Sequence, residues 1–448
     1  MPKHYLIDTY GCQMNEYDSA LIASMLEKNG CIPTEDPEEA ELFFFNTCSV
    51  REKAEESAKA RISKMKFYKK RRPWIKFIVT GCMAEHLGSR LVEQVDCIDY
   101  VIGPDKYSKI PELLFPHPLA STQKNLSQRI ITGFDDSENY LGEYAKLSHP
   151  FSSFVTIQRG CNFRCSYCIV PFVRGREKYR AAEDVLREVE MASSRGVSEI
   201  CLLGQTVNAY RQRGLDFADL LAQIAAVPGI RRVRFMSPHP RFYTEKLIDV
   251  LQNIPQLCPH AHIPLQSGSD AMLSKMKRRY TADEFLRILE KFRGKNPFYG
   301  LTTDIIVGFV GESEEDFEAT LATVKEARFD AAFMFIYSPR EGTESAKETE
   351  TLSEGQKQER LARLVEVQNA ITLERNREML GRTEEILVEG PSSRDPDEWV
   401  GKTGNFKKVI FASKTVKPGD YVNCRIDDIR GWTLRGTPID ELEKPCHV

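Results

Sequence analysis

The sequence predicts an α/β protein with three parts: an N-terminal domain with a parallel sheet, a central partial (β/α)6 barrel and a C-terminal small antiparallel β-barrel. Four β-rich runs alternate with helical patterns before residue 119, and six more do so between residues 147 and 378. Short runs separated by Gly, Pro and Asp follow residue 379. Alternating β and α patterns indicate parallel sheets, and evenly spaced short strands indicate a barrel. We therefore expect domains at residues 1–119, 147–378 and 379–444, joined by a linker at 120–146.

The N-terminal strands are predicted at residues 5–9, 42–47, 75–80 and 100–103. A helix is predicted at 19–29, because Leu21, Ile22, Met25 and Leu26 share one face and Gly30 is a typical helix stop. A second helix is predicted near residues 51–68. Residues 119–144 are rich in Asn, Ser, Asp and Gly, which indicates the linker.

The central domain has six predicted strands, at residues 154–157, 200–203, 233–236, 262–265, 304–307 and 333–337. A complete barrel of this type needs eight strands, but a long charged helix is predicted next, at residues 353–380. The barrel is therefore expected to be partial. The C-terminal strands are expected near residues 385–388, 408–411 and 421–426.

The composition is that of an ordinary globular protein. The chain has 448 residues, 41% hydrophobic and 28% charged, and it contains no apolar run of membrane-spanning length. No secretion signal is recognisable at the N-terminus, so the 12 cysteines are expected in a reducing compartment, the cytoplasm. The net charge of −3 provides no general attraction to nucleic acid, so any such binding must depend on local basic patches.

Cys161, Cys165 and Cys168 are the most informative residues, because their C-x3-C-x2-C spacing suits three corners of a [4Fe-4S] cluster. The fourth iron would stay open to bind S-adenosylmethionine and pass one electron to its sulfonium, which is expected to yield a 5′-deoxyadenosyl radical. A zinc site is the alternative, but structural zinc prefers paired C-x2-C motifs and four ligands.

A second set of three cysteines follows the ends of predicted strands. Cys12, Cys48 and Cys82 each come just after a strand of the N-terminal sheet, and the carboxyl ends of parallel strands meet at one edge. These residues predict a second open cluster, although each alone could be a buried structural cysteine. The other six cysteines are treated as structural.

With both triads in view, the chain resembles the methylthiotransferases of the radical S-adenosylmethionine superfamily, and within them the MiaB type, from about residue 4 to residue 443. The resemblance is carried by GCQMNEYDS at 11–19, NTCSVR at 46–51, CIVPFVRG at 168–175, PLQSGS at 264–269 and YSPR at 337–340. Enzymes that modify a ribosomal-protein aspartate differ after the first two cysteines, where QMN and SVR stand here. The C-terminal domain resembles the TRAM module, which is associated with RNA binding.

The resemblance implies methylthiolation of N6-(dimethylallyl)adenosine at position 37 of tRNA. The cluster on Cys161, Cys165 and Cys168 would generate the radical that removes hydrogen from adenine C2, and the cluster on Cys12, Cys48 and Cys82 would carry the sulfur. The alternative substrates are tRNA carrying threonylcarbamoyladenosine and a ribosomal protein. The alternative class for the chain itself is a non-catalytic iron–sulfur protein. Expected partners are tRNA carrying isopentenyladenosine, a flavodoxin- or ferredoxin-like electron donor and an iron–sulfur or sulfur supply protein. We expect a monomer that does not contact membranes.

Tyr167, Gln205 and Gly308 occupy positions that face the cofactor in this superfamily, so we expect them to contact S-adenosylmethionine. Arg174, Arg176 and Arg180 are candidates for RNA phosphate or the cofactor carboxylate. Candidate RNA-binding side chains are Lys402, Lys407, Lys408, Lys414, Lys417, Phe406, Phe411 and the basic residues of 64–76. The sequence departs from the family at Thr206, Val310 and residues 402–405, none of which is expected to touch a cluster ligand.

Overall fold

The computed structural model describes residues 3–50, 52–115, 129–135, 144–147 and 149–439. The N-terminal domain is a six-stranded sheet in which every neighbouring pair is parallel, in the order β2-β1-β3-β4-β5-β6. Its strands are β1 (His4–Thr9), β2 (Ile32–Pro33), β3 (Leu42–Thr47), β4 (Lys76–Gly81), β5 (Tyr100–Ile102) and β6 (Ile130–Ile131). Its helices are α1 (Gln13–Lys28), α2 (Glu52–Arg71), α3 (Cys82–Leu87), α4 (Ser89–Gln94) and α5 (Ile110–Leu114).

Two hydrophobic clusters cover this sheet. Every residue of β3 is buried, with Phe43 and Phe45 in one cluster and Phe44 in the other, because successive side chains of a strand point to opposite faces. Such continuous apolar runs are typical of parallel strands covered on both faces. The predicted parallel sheet is therefore confirmed.

The predicted linker contributes one strand to this sheet. Ile130 and Ile131 of β6 pair in parallel with β5, although their polar surroundings favoured a connection without structure. Two residues are too short to give a periodic pattern, and their pairing is set by the edge of β5. Residues 120–128, 136–143 and 148 lie outside the described residues, and the domain boundaries stay a prediction.

The central domain contains two three-stranded parallel sheets, which together form the partial barrel, and two short two-stranded antiparallel sheets. Its strands are β7 (Ser152–Thr156), β8 (Gln158–Arg159), β9 (Lys178–Tyr179), β10 (Glu199–Leu203), β11 (Arg211–Gln212), β12 (Leu215–Asp216), β13 (Arg232–Phe235), β14 (His260–His262), β15 (Gly300–Val307) and β16 (Ala331–Ile336). Its helices are α6 (Val170–Val173), α7 (Ala182–Ser193), α8 (Phe217–Ala225), α9 (Glu245–Asn253), α10 (Asp270–Lys275), α11 (Ala282–Lys295), α12 (Glu314–Ala327) and α13 (Glu354–Arg377).

Six barrel strands are present as predicted, but β14, at His260–His262, begins before the predicted segment 262–265 and shares only His262 with it. The parallel sheets β7-β10-β13 and β14-β15-β16 surround the largest hydrophobic cluster of the molecule. The long predicted helix is α13, which begins with a capping box at Ser353 and packs against β16 and α12. The partial barrel is therefore confirmed.

The C-terminal domain is a closed five-stranded barrel in the order β17-β18-β19-β21-β20. Its strands are β17 (Thr383–Pro391), β18 (Glu398–Thr403), β19 (Lys408–Ala412), β20 (Tyr421–Arg430) and β21 (Thr433–Pro438). The predicted small antiparallel barrel is confirmed, with one exception among its strand pairs: β19 and β21 are parallel. Closing five strands, an odd number, requires one such pair when the other four pairs are antiparallel.

The turn after β18 lies against the amino end of the central barrel. Arg234 donates to the carbonyl oxygens of Thr403 and Gly404, at 2.8 and 2.9 Å. The ring of Phe406 stacks on the ring of His260, with 4.7 Å between the ring centroids. The first residues of the central strands are therefore covered by the C-terminal domain. No helix within the described ranges is long and apolar enough to cross a membrane.

Candidate active site

The N-terminal cysteines lie at the carboxyl edge of the parallel sheet. Strands β1, β3 and β4 are neighbours, with Thr9 paired to Asn46 and Thr47 paired to Gly81, so the three strands end at the same level. Cys12 precedes α1, Cys48 follows β3 directly, and Cys82 is the first residue of α3. The register of the sheet therefore brings together the loops that carry the three thiols.

The three thiols act on one another electrostatically. Burial raises the pKa of the Cys82 thiol to about 12; Arg174 opposes this rise, and Cys48 and Cys12 add to it. The pKa of Cys12 is also raised, first by burial and then by Cys48. The backbone N–H of Val50 donates to the sulfur of Cys48 at 3.3 Å. Buried thiols of this kind stay protonated until a metal replaces the proton.

Asn15 ties two of these loops together. Its side-chain amide donates to the carbonyl oxygens of Tyr10 and Thr47, at 3.1 and 2.9 Å, and its Oδ1 lies 3.7 Å from the Cys12 sulfur. Asn15 is fully buried. It is therefore the residue that fixes the backbone before Cys12 relative to the backbone before Cys48.

The central cysteines lie in the loop that follows the first barrel strand. Cys165 is buried, and Cys161 and Cys168 are partly exposed. Burial raises the pKa of the Cys168 thiol to about 12, with a further contribution from Cys165. The hydroxyl of Thr206 lies 3.1 Å from the Cys161 sulfur, and Arg278 donates to the Cys165 sulfur at 3.5 Å. Both contacts are suited to a sulfur that carries negative charge.

One cavity adjoins the central triad and reaches Cys12 of the N-terminal triad. It has a volume of about 410 Å³ and lies at the carboxyl end of the barrel strands, where βα proteins place their active sites. Its wall includes Cys12 of the N-terminal domain together with Cys161, Cys165 and Cys168. The walls also include His262 and Asp304, and His262 Nε2 lies 3.2 Å from Asp304 Oδ2. A reactant bound in this cavity therefore has access to the central triad and to Cys12 of the N-terminal triad.

A second, more apolar cavity adjoins the first. It has a volume of about 560 Å³ and shares Tyr167, Cys168, Gln266 and Asp304 with it. Val50 and Ile169 line it together with residues of β16. The two cavities give the carboxyl end of the barrel room for more than one ligand.

Two of the three predicted cofactor contacts line these cavities. Tyr167 lines both, and its ring meets the edge of Phe309. Gln205 lines the first cavity and accepts a hydrogen bond from the N–H of Gly160. Gly308 does not line either cavity: a Cβ on it would lie 2.7 Å from the Lys357 side chain of α13. The strand-end position identified Gly308, but α13 covers that side of the strand.

The expectation that no departure from the family touches a cluster ligand is wrong for Thr206, which contacts Cys161. Sequence position could not reveal this contact, because Thr206 follows a different strand, β10. Val310 is buried in a small apolar cluster, and residues 402–405 lie against the amino end of the barrel.

Several residues predicted to meet RNA are engaged within the protein. Arg174 pairs with Asp18 of the N-terminal domain, and Arg180 pairs with Glu188 within the central domain. Lys407 is buried against Asp330. A further group is paired on the surface or packed: Lys66 with Asp96, Lys69 with Asp99, Lys402 with Glu389, and Phe411 in the core of the last barrel. Arg176, Lys408, Lys414 and Lys417 are exposed.

The donor sets fit [4Fe-4S] clusters. Each set consists of three free thiols, and hydrogen-bond donors reach the sulfurs of Cys48, Cys82 and Cys165. All three central cysteines and Cys12 line the cavity, whereas Cys48 and Cys82 are buried. Within the part of the chain that is described, no group of three or more His, Cys, Asp or Glu side chains is arranged to hold a single metal ion. A cluster takes one thiolate on each of three different irons, so it does not require the arrangement that one ion does.

Three family models match the chain and define its class. Residues 155–324 match the radical SAM superfamily, residues 4–103 match the uncharacterized protein family UPF0004, and residues 377–439 match the TRAM domain. The fold is similar to that of the radical S-adenosylmethionine methyltransferase TsrM from Kitasatospora setae, solved with cobalamin and a [4Fe-4S] cluster bound. The TM-score is 0.56 at 14% identity, covering 77% of this chain and 74% of TsrM. The cobalamin-dependent radical enzyme OxsB gives a TM-score of 0.52 at 11% identity, covering 77% of this chain and 55% of OxsB. The match at residues 155–324 therefore assigns the central domain to the radical SAM superfamily, and the two solved structures show a similar fold.

Relatives of nearly the same length narrow the class to one family. A tRNA-2-methylthio-N(6)-dimethylallyladenosine synthase from Thermoanaerobacter sp. (strain X514) is 41% identical over 445 residues, which is 98% of this chain and 93% of the relative. Proteins of the same name from Dictyoglomus thermophilum and Nitrosomonas europaea are each 39% identical, over 99% and 97% of this chain and 100% and 98% of their own. The chain belongs to the family of tRNA-2-methylthio-N(6)-dimethylallyladenosine synthases.

Proposed function

We propose that this protein methylthiolates N6-(dimethylallyl)adenosine at position 37 of tRNA to give 2-methylthio-N6-(dimethylallyl)adenosine. The observation that carries the proposal is the cavity that both cysteine sites adjoin, in a chain that is 41% identical over 98% of its length to a synthase of this name. Inserting sulfur into a C–H bond requires activation of the carbon and a source of sulfur at the same place. The shared cavity supports both requirements.

Cys161, Cys165 and Cys168 would hold the first [4Fe-4S] cluster, and Cys12, Cys48 and Cys82 the second. When bound, S-adenosylmethionine and the two clusters supply radical hydrogen abstraction and sulfur. Tyr167 and Gln205 form part of the wall against which the cofactor would lie. Asp304 offers an acceptor for an N–H group of an adenine base, and His262 orients that carboxylate. Asn15 keeps the loops of the second site at a fixed separation.

The C-terminal barrel is the proposed tRNA contact outside the cavity. Lys408, Lys414 and Lys417 are exposed on it and are suited to phosphate, whereas Lys407 is not available. The reaction also requires an electron donor, proposed to be flavodoxin- or ferredoxin-like, and a protein that restores sulfur to the second site. A tRNA substrate makes the cytoplasm the proposed compartment.

The test is anaerobic reconstitution with iron and sulfide, followed by reductant, S-adenosylmethionine and tRNA carrying isopentenyladenosine. We expect mass spectrometry of the digested tRNA to show the 2-methylthio nucleoside. If 5′-deoxyadenosine forms without that product, the substrate proposal is wrong, and tRNA carrying threonylcarbamoyladenosine and a ribosomal protein become the next substrates to test. If neither forms, the protein is not an enzyme of this class.

A further inference from the structure

Arg174 belongs to the central domain but lies in the N-terminal cysteine site. It directly follows α6, a short distance after Cys168 in the chain, and only 4% of its surface is exposed. Its Nε donates to the sulfur of Cys82 at 3.1 Å. The residue thus connects the chain segment of one cysteine triad to a sulfur of the other.

The other nitrogens of Arg174 are also engaged. Nη1 donates to Asp18 Oδ2 at 2.7 Å, and Nη2 donates to Asn15 Oδ1 at 3.3 Å. The planar guanidinium therefore has one contact on each nitrogen, a geometry that a lysine ammonium cannot reproduce. Because Asn15 contacts the Cys12 sulfur and the carbonyl oxygen of Thr47, Arg174 reaches Cys82 directly and, through Asn15, Cys12 and the residue that precedes Cys48.

Asp18 is fully buried and is held by a second cation. Arg159 lies 3.7 Å from its other oxygen, and the hydroxyl of Tyr107 lies 3.5 Å from Oδ2. A buried carboxylate needs such partners because its desolvation is costly. Asp18 thus partly neutralises the positive charge that Arg174 presents to Cys82.

We propose that Arg174 is a positioning residue for the second cluster: it holds the cluster through Cys82 and raises the reduction potential of the cluster. Asp18 limits this rise in potential. The inference rests on the proposed function, specifically on Cys12, Cys48 and Cys82 as cluster ligands. The potential of an iron–sulfur cluster depends on nearby charge and on hydrogen bonds to its sulfurs. A buried cation stabilises the reduced, more negative cluster, and a buried anion does the reverse.

A purely structural role makes a different prediction. An arginine–carboxylate pair that only helps to join the two domains already exists: Arg180 and Glu188 pair within the central domain, and Arg180 donates to the hydroxyl of Tyr17 in the N-terminal domain at 3.3 Å. If Arg174 and Asp18 had the same role, removing either partner would weaken the interface and leave the potential unchanged. Opposite shifts for the two partners require that the cluster senses their charges.

The experiment uses the full chain with Cys161, Cys165 and Cys168 replaced by Ala, so that only the second cluster assembles. The protein is reconstituted with iron and sulfide, and the potential is measured by redox titration with electron paramagnetic resonance. Asp18→Asn is expected to shift the potential to a more positive value and Arg174→Gln to a more negative one. The potential of the double variant is expected to lie between those of the two single variants. Arg174→Lys is expected to give a smaller negative shift than Arg174→Gln, and the control Arg180→Gln should leave the potential unchanged.

The outcomes separate this inference from the proposed function. If the parent holds no cluster on the N-terminal cysteines, the assignment of these ligands and this inference are both wrong. If the parent holds a cluster and Asp18→Asn and Arg174→Gln shift its potential in the same direction, or not at all, the role of Arg174 is wrong and the assignment stands. If the Arg174→Gln variant does not retain iron, the test depends on Asp18→Asn alone. A positive shift of its reduction potential supports the inference, and an unchanged potential overturns it.

Discussion

Replacing Cys161 with Ala is expected to abolish cleavage of S-adenosylmethionine, whereas Cys12→Ala is expected to retain cleavage and lose the methylthio product. In the proposed assignment, the first variant removes a ligand of the cluster that reduces the cofactor, and the second removes a ligand of the cluster that supplies sulfur. We expect each loss to exceed the roughly 10–100-fold that follows removal of an outer-shell partner. Formation of 5′-deoxyadenosine and of 2-methylthio nucleoside is measured in the same reaction.

Cys97→Ala is the matched control for Cys12→Ala. Cys97 is also in the N-terminal domain but is buried among apolar side chains, outside the triad. Its replacement should cost about 1 kcal/mol of stability and change neither product. An equal loss of cleavage in Cys161→Ala and Cys12→Ala would contradict the division of labour between the two sites.

Gly81→Ala is expected to destroy the second cysteine site while leaving the first intact. Gly81 immediately precedes Cys82 and has φ +89°, and a Cβ there would lie 2.3 Å from the carbonyl oxygen of Thr47. The substitution combines about 1–2 kcal/mol for the left-handed backbone with about 1–3 kcal/mol for overpacking. Because the clash forces the backbone beside Cys48 away from Cys82, we expect the reconstituted protein to lose about half of its iron.

Gly30→Ala separates the backbone cost from the clash. Gly30 also has positive φ, +79°, but a Cβ there would have no neighbour within 4 Å. This variant should lose about 1–2 kcal/mol of stability and keep all its iron. Thermal unfolding and iron analysis of the two variants test the argument, and full iron content in Gly81→Ala would show that the loops of Cys48 and Cys82 can separate without losing the cluster.

The convergence of Cys12, Cys48 and Cys82 could be predicted because it depends on local sequence and one general rule. Each cysteine follows an apolar run, and parallel strands end at the same edge. The same reasoning placed the six strands of the central barrel. In these regions the pattern of apolar residues and the packing of the fold agree, so the pattern alone was sufficient.

Arg174 shows where the sequence was not sufficient. Its neighbours in the chain suggest a charged loop that meets RNA or cofactor, but its partners Cys82, Asp18 and Asn15 are in another domain. The packing of two domains leaves no periodic signal in either. Thr206 and Gly308 illustrate the same limit, since a contact from β10 and a covering helix, α13, decide their surroundings.

Through the turn after β18, the C-terminal domain closes the amino end of the central barrel and is packed against it as part of one structure. Arg232 and Arg234 are buried and donate to backbone oxygens of Glu385, Lys402, Thr403 and Gly404. Without these acceptors both guanidinium groups would be left with unsatisfied hydrogen bonds. Exchange of the C-terminal barrel between homologues is therefore expected to succeed only where the incoming segment at 402–406 places its carbonyl oxygens against these arginines.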